Sequence, residues 1–255
     1  MIDKVKEAEL LQIAIDAALL AGEEIMKIYS EEFEVLFKQD NSPLTIADQK
    51  ANSIIEKVLQ KTGIPILSEE GKHEDYFIRK KWDKLWIVDP LDGTKEFVKR
   101  NGEFTVNIAF VENSIPFVGV IYVPAKKWLY YGSSAGAFKK VDGIIQKLPI
   151  SDDRNHYVVV GSRSHLSKET LDYFDDLKKK HGEIEIISMG SSLKICIVAE
   201  GNADIYPRFA PTMEWDTAAG HAILNSVGKK LIDFKTKRPM EYNRINLINN
   251  WFIVK

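Results

Sequence analysis

The sequence predicts an α/β protein, with an α+β lobe over residues 1–152 followed by an α/β lobe over residues 153–255. Three observations carry that prediction. Apolar residues at helical spacing fill the first thirty positions and return between Thr45 and Lys61. Residues 104–138 then change to runs rich in β-branched and aromatic side chains, and after Ile150 short apolar runs alternate with helical ones. The boundary is placed in the polar stretch Ser151-Asp152-Asp153-Arg154. A chain of 255 residues can bury a sizeable core as one large domain or two small lobes.

In the first helix Leu11, Ile15, Ala18, Gly22, Ile25, Met26 and Tyr29 recur at spacings of three and four, with Gln12, Asp16 and Glu23 between them. Ser42-Pro43 stops the following segment. A second helix runs from Thr45 to about Lys61, with Ile46, Ile54, Ile55 and Val58 as its stripe and Gly63 at its stop. Short apolar runs follow at 64–67 and 85–88. Residues 105–111, 117–123 and 128–131 are strand-like and are separated by Asn113-Ser114, Pro124 and Gly132, which predicts an antiparallel meander. Asp142-Gly143 marks a further hairpin turn. In the second half, 157–160 reads as strand, 168–180 as helix, 184–187 as strand, 191–200 as helix, 203–206 as extended and 214–226 as helix.

Composition narrows the function classes. The 35 lysines and arginines nearly balance 37 aspartates and glutamates, so no general field draws the chain to nucleic acid. One cysteine, Cys196, can form neither an internal disulfide nor a thiolate metal cluster. No apolar run approaches about 18 residues, so no transmembrane segment is expected. Asp3, Glu7 and Glu9 are unlike the basic head of a secretory signal. The expectation is a cytoplasmic protein with small-molecule rather than nucleic-acid partners. Monomer and homodimer both stay open, as does loose association with the inner membrane surface.

Three acidic clusters each end an apolar run: Ile66-Leu67-Ser68-Glu69-Glu70-Gly71, Trp86-Ile87-Val88-Asp89-Pro90-Leu91-Asp92-Gly93-Thr94, and Glu214-Trp215-Asp216-Thr217-Ala218-Ala219-Gly220. Strands that end in carboxylates present them at a sheet edge, where clefts of α/β proteins lie. Hard cations such as Mg2+ take oxygen ligands, and crowded carboxylates repel one another unless a cation or protons intervene. Pro90 removes a backbone donor and stiffens the turn that aims Asp89 and Asp92, while Gly93 and Thr94 offer N–H groups to a phosphate. Each cluster alone also reads as a solvated turn, and Asp216 as a residue favoured in the first turn of a helix. Three such sites in one chain raise the metal-and-phosphate reading, and at this point both stand. A haloacid-dehalogenase arrangement is excluded, because Pro90 and Leu91 separate the two aspartates where that motif has one residue.

Asp40-Asn41-Ser42-Pro43-Leu44-Thr45-Ile46-Ala47-Asp48, Ser68-Glu69-Glu70, Asp89 through Thr94, and Trp215 through Gly220 occur in an order and spacing that resemble the inositol monophosphatase superfamily of lithium-sensitive, magnesium-dependent phosphatases. The resemblance covers essentially the whole chain. Within it, Lys95-Glu96-Phe97 and its continuation to Ala109, Gly190-Ser191-Ser192-Leu193-Lys194, and Tyr206-Pro207-Arg208-Phe209 look like the 3'(2'),5'-bisphosphate nucleotidase branch. The resemblance implies an α-β-α-β-α layered sandwich and removal of the 3'-phosphate of adenosine 3',5'-bisphosphate to give AMP. Some members of the branch also accept the sulfated form, 3'-phosphoadenylyl sulfate.

By the same resemblance Glu69, Asp89, Asp92, Asp216 and the Leu91 carbonyl would hold two or three Mg2+. Asp48 and Thr94, with Glu69, would form the catalytic set that activates water. Glu69, Leu91, Asp92, Gly93, Thr94 and Asp216 would meet the substrate phosphate. Taken alone, Thr45-x-x-Asp48 reads first as a helix capping box, and a capped helix start would present Asp48 rigidly.

Ser191, Ser192 and Lys194 follow Gly190 at an expected helix start. They read either as an anion site with an added ammonium or as a serine cap beside a surface lysine. Arg208 can contact a phosphate bidentately, and Tyr206 either faces adenine or packs. Arg163 and His165 are further rim candidates, with a surface loop as their plainer reading. Cys196 and His221 are expected to pack in the core. Two alternatives remain: an inositol or sugar monophosphate phosphatase, which a substrate panel separates, and a catalytically silent nucleotide- or metal-binding regulator, which would bind without turnover.

Overall fold

The expected meander is the centre of the fold. The computed structural model describes residues 3–32, 35–37, 43–150, 154–162 and 167–255. Arg163 and His165, the Asp40-Asn41-Ser42 part of the first motif and the Ser151–Asp153 part of the boundary stretch lie outside the described residues. The elements of the first half are α1 (Lys4–Tyr29), β1 (Val35–Phe37), β2 (Pro43–Thr45), α2 (Ile46–Leu59), β3 (Ile66–Ser68), α3 (Tyr76–Arg79), β4 (Lys84–Asp92), α4 (Thr94–Val98), β5 (Thr105–Glu112), β6 (Ile115–Val123), β7 (Trp128–Ser133), β8 (Gly136–Val141) and β9 (Ile144–Lys147). The second half holds β10 (Tyr157–Ser162), α5 (Lys168–His181), β11 (Ile184–Met189), α6 (Leu193–Ala199), β12 (Tyr206–Arg208), α7 (Glu214–Ser226), β13 (Leu231–Asp233) and β14 (Phe252–Val254).

Strands β3 to β9 lie side by side in sequence order, antiparallel throughout except for the parallel β3–β4 pair. Pleating sends alternate residues to opposite faces. Trp86, Val88, Ile108 and Phe110 enter one apolar cluster with α1 and α2, and Leu85, Ile87, Ala109 and Val111 enter another with α6 and α7. Beyond α6 and α7 lies a second sheet region, in which β10 pairs parallel with β11 and β14 sits between β12 and β13. A parallel bridge from Val159 to Ile205 ties the two parts together. Its outer face is covered by α5, through Phe174 and Leu177 against Val159 and Ile205. The result is the α-β-α-β-α order of layers.

The cluster around α7 runs from Leu67 to Val254, so apolar packing continues across residue 152. Both N-terminal helices turn a slightly different face inward than their large apolar residues suggest. In α1 the fully buried positions are Leu10, Ala14, Ala17, Ala18, Ala21 and Ile25, with Leu11, Ile15, Met26 and Tyr29 only partly covered. Small side chains let the helix axis lie close to the sheet, and the larger ones flank the contact. In α2 Ile55 is buried as expected, Ile54 and Val58 are partly covered and Ile46 is exposed, while Ala47, Ala51 and Leu59 complete the buried face.

Helix α7 lies in a trough made by glycines. Gly119 on β6 and Gly132 on β7 are register partners. A Cβ at Gly119 would overlap the Ala219 carbonyl oxygen, and one at Gly132 would come 2.9 Å from the Ile223 Cα. Gly119→Ala must therefore push α7 off the sheet. Overpacking of this kind costs about 3 kcal/mol, which lowers the Tm by roughly 6–12 °C in a chain of this size. Thermal unfolding followed by circular dichroism checks this; an unchanged Tm would mean that the helix shifts freely.

Candidate active site

The two aspartates of β4 share a face because of one irregularity. Asp89 pairs with Asn107 and Asp92 with Thr105, so three steps along β4 match two along β5. In a regular strand, residues three apart point to opposite faces; the bulge absorbs the extra residue and returns Asp92 to the side of Asp89. Pro90 sits inside the bulge, where its missing N–H breaks no ladder bond. The Leu91 N–H instead donates to the Asp89 carboxylate at 3.1 Å.

Neighbouring elements bring the other carboxylates. Strand β3 runs parallel to β4, and the Glu69 N–H donates to the Val88 carbonyl at 3.1 Å, which sets Glu69 beside Asp89. Asp216 occupies the first turn of α7 and accepts from the Met213 N–H at 2.8 Å. Ligand oxygens of Glu69, Asp89 and Asp216 all lie within 4.8 Å of one another. The Asp92 Oδ2 is 2.7 Å from the Ser192 hydroxyl and 3.4 Å from the Asn107 amide nitrogen.

Burial, and after it the charges of Glu69, Asp92, Asp216 and Asp48, pushes the Asp89 carboxyl well above the usual range. Burial, then Asp92 and Glu69, does the same to Asp216. A cluster of oxygen donors whose ionised form is this disfavoured suits a hard divalent cation, which would neutralise it without protons. The donor set of Glu69, Asp89, Asp216, the nearby Asp92 and the Leu91 carbonyl therefore fits Mg2+.

Beside the cluster, Gly93 takes the left-handed conformation (φ 89°) and starts α4 at Thr94. The Thr94 hydroxyl lies 3.1 Å from Asp48 Oδ1 and 3.4 Å from the Leu91 carbonyl. The other Asp48 oxygen caps α2, accepting from the Thr45 N–H (2.8 Å) and hydroxyl (2.7 Å). Capping box and Thr94 contact thus coexist on one carboxylate. Burial raises the Asp48 pKa, against the bonds from Thr45 and Thr94 that lower it.

The cleft, about 310 Å³, continues from the carboxylates to Ser191, Ser192, Lys194, Tyr206 and Arg208. Of the two readings of Ser192 the cap is not realised: its side chain makes no cap bond to α6. Its hydroxyl lies 2.7 Å from both Asp92 Oδ2 and the Asp216 carbonyl and accepts from Asn107 at 2.9 Å. Lys194 is not a surface lysine: its ammonium is buried and donates to the carbonyls of Ser191 (2.6 Å) and Met189 (3.3 Å). Burial brings its pKa down to about 8, against the pull of Asp92. Ser191 holds a left-handed backbone (φ 46°), and its hydroxyl, like the Arg208 Nε, is buried without a hydrogen-bond partner among the described residues. Tyr206 is buried, edge-on to Phe252, with its phenol pushed upward by burial.

Sequence reasoning assigned no role to Asn107 or Glu103, whose carboxylate accepts from the Gly190 N–H at 2.8 Å. A lone Asn amid the apolar residues 106–111 was the available signal for the first. Thr212 and Phe252 also line the cleft and carry no local signature. Cys196 and His221 are buried as expected, and burial holds the His221 pKa down to about 4.

Comparison with known proteins finds similarity along the whole chain. Residues 6–251 match the inositol monophosphatase family. The chain is 43% identical, over 96% of its length and 99% of the relative's, to a 3'(2'),5'-bisphosphate nucleotidase CysQ of Salmonella typhimurium. Among solved structures, CysQ from Bacteroides thetaiotaomicron, a bacterial member of the same family, is 54% identical with a TM-score of 0.89 over 97% of each chain. An IMPase of Thermotoga maritima is 26% identical with a TM-score of 0.78, over 97% of this chain and 92% of its own.

Proposed function

The chain belongs to the inositol monophosphatase family, and we infer that it is a 3'(2'),5'-bisphosphate nucleotidase that hydrolyses adenosine 3',5'-bisphosphate to AMP and phosphate. One observation within the molecule carries the substrate reading: a single cleft joins a carboxylate cluster to Lys194 and Arg208. A substrate with a phosphate at each end of a sugar fits that polarity. An inositol monophosphate would leave the cationic end unpaired.

Enzymes of this family use Mg2+. When bound by Glu69, Asp89, Asp92, Asp216 and the Leu91 carbonyl, two or three ions would offset phosphate charge and acidify water. In our reading Thr94 donates its proton to Asp48, which leaves a hydroxyl lone pair to hold a water in line with phosphorus. That water's oxygen bonds to phosphorus while the bond from phosphorus to the ribose oxygen breaks. The water's proton moves toward the Thr94–Asp48 pair, and the ribose oxygen leaves with a proton from solvent. Glu69 takes part in positioning the water. Gly93 and Thr94 offer backbone N–H groups to the reacting phosphate, and Ser191, Ser192, Lys194 and Arg208 serve the second one, with Tyr206 as their apolar backing. The buried unpaired Ser191 hydroxyl and Arg208 Nε support this, since an unmet buried donor favours a ligand acceptor.

The sulfated nucleotide 3'-phosphoadenylyl sulfate keeps both the 3'-phosphate and a charged 5' side and is a second substrate by the same logic. Among the described residues no helix is long and apolar enough to cross a membrane. We place the enzyme in the cytoplasm, in keeping with its one buried, unpaired cysteine.

Phosphate release is to be compared for adenosine 3',5'-bisphosphate, AMP and inositol 1-phosphate, each with Mg2+, with EDTA and with Mg2+ plus Li+. The bisphosphate should turn over only with Mg2+ and be inhibited by Li+. Inositol 1-phosphate should be about 10–150-fold poorer in kcat/KM, the worth of one lost charge-assisted contact, and AMP, which is the product and carries no 3'-phosphate, should release essentially none. Preference for inositol 1-phosphate would overturn the substrate, and silence of the folded protein on all three would overturn the enzyme.

A further inference from the structure

The Lys95-Glu96-Phe97 stretch contains a residue that nothing above employs. Phe97 is a core side chain, packed 5.1 Å from the rings of Tyr29 and Phe104, and Lys95 is exposed at the rim. Between them Glu96 turns into the cleft. It is only 7% exposed and lines the wall next to Gly190, where a Cβ would come 2.7 Å from its Cγ. Among the described residues its carboxylate has no hydrogen bond or ion pair. Glu103, on the other side of Gly190, differs: it accepts the Gly190 N–H. Lys194 feels the Glu96 charge but makes no hydrogen bond to it, two of its ammonium protons going to the Ser191 and Met189 carbonyls.

The side chain packs into the wall while its carboxylate oxygens reach the open cleft, where no protein donor among the described residues meets them and a ligand donor can. The carboxylate can only accept, so it repels phosphate and calls for an uncharged ligand donor, a hydroxyl or an amine. Position decides between them. Glu96 shares α4 with Thr94 on one side and packs on the Gly190-Ser191 turn on the other. It therefore stands between the two ends that, in the function proposed above, hold the two phosphates, and there lies the sugar. In adenosine 3',5'-bisphosphate the ribose has one hydroxyl left, at the 2' position; in the 2',5' isomer it is the 3' hydroxyl. We propose that Glu96 is a specificity-determining residue that accepts a hydrogen bond from the free ribose hydroxyl of the bisphosphate. The proposal rests on the nucleotidase reading and adds to it the part of the substrate that this acid reads.

The test compares kcat/KM for adenosine 3',5'-bisphosphate, its 2'-deoxy analogue and inosine 3',5'-bisphosphate, in the wild type, Glu96→Ala and the isosteric Glu96→Gln. The wild type should prefer the ribose substrate over the 2'-deoxy one by about 10–100-fold, the size expected of a hydrogen bond to a charged group. In Glu96→Ala that preference should fall to within about threefold, and Glu96→Gln, which keeps an acceptor without the charge, should lie between. Inosine and adenosine substrates should behave alike throughout, and the Mg2+ concentration for half-activation should not move. The proposal is overturned if the wild type does not distinguish ribose from deoxyribose, or if the preference survives in Glu96→Ala. Should the alanine variant not fold, an unchanged preference in Glu96→Gln overturns it equally. Loss of discrimination confined to inosine would assign Glu96 to the adenine amine instead, and a shifted Mg2+ requirement would assign it to the metal site. Failure of the nucleotidase reading itself looks different: the wild type then releases phosphate from none of the three.

Discussion

Asp89→Asn is expected to lower Mg2+-dependent phosphate release at least roughly 10³-fold, the scale on which removal of one preorganised electrostatic group acts, while leaving the fold intact. The carboxylate is 1% exposed, so truncation would leave a void, but asparagine has nearly the same shape and its oxygen can still accept the Leu91 N–H. What disappears is one anion from a group that includes Glu69, Asp92 and Asp216. Without metal that anion is a burden. The folded-state pKa of Asp89 is raised above the value near 3.9 of an unfolded chain, so its favourable contribution is complete below that pH and is lost as pH rises through the folded value.

In EDTA, therefore, Asp89→Asn should melt at the same temperature as the wild type near pH 4 and progressively higher than it as pH rises. With saturating Mg2+ the order should reverse, because the wild type gains the binding energy of the ion and the variant loses a ligand. Melting curves across pH with and without Mg2+, together with phosphate release, check both halves. A variant as active as the wild type, or less stable than it in EDTA at neutral pH, would remove Asp89 from the proposed ligand set.

That aspartate also shows what could be read in advance. Acidic residues closing apolar runs were visible as such, and a parallel β3–β4 pair brings two of the runs to one edge. The common face of Asp89 and Asp92 was not visible, because a three-residue spacing on a regular strand separates side chains; only the pairing with Asn107 and Thr105 reveals the bulge. Ser192 could be read from sequence either as part of an anion site or as a helix cap. It lines the cleft, but its bonds to Asp92 and to the Asp216 carbonyl come from tertiary neighbours that local sequence does not show. Alanines 14, 17 and 21 make the closest face of α1, a feature that hydrophobic size does not flag. Strands β13 and β14 have three residues each, too few for any periodicity to register.

Thr94→Val should lower kcat about 10²–10⁴-fold with little change in KM for substrate or for Mg2+, the range of a positioned proton-transfer group. Valine keeps the branched shape and removes only the hydroxyl that links the cleft to Asp48 at 3.1 Å. Thr94→Ser keeps the hydroxyl and should stay within about tenfold of the wild type on the same argument. Asp48→Asn tests the other end of the link. To keep its oxygen on the Thr45 N–H, the new amide must turn its NH2 toward Thr94, donating where the carboxylate accepted. The Thr94 hydroxyl then has no carboxylate to take its own proton and cannot pass on the proton of water, so kcat should fall by a comparable factor.

Asp48→Asn also touches the cap, because the Thr45 hydroxyl and N–H share one Asp48 oxygen. A weakened cap costs about 1 kcal/mol, roughly 2–4 °C in Tm, and Thr94→Val should not show that loss. If the two residues act as one unit, the double variant will be about as slow as either single one rather than the product of both. Multiplying effects would mean that Thr94 and Asp48 serve separate ends, the hydroxyl in the cleft and the carboxylate only at the helix start. A Thr94→Val enzyme within about threefold of the wild type would dismiss the hydroxyl from the reaction altogether.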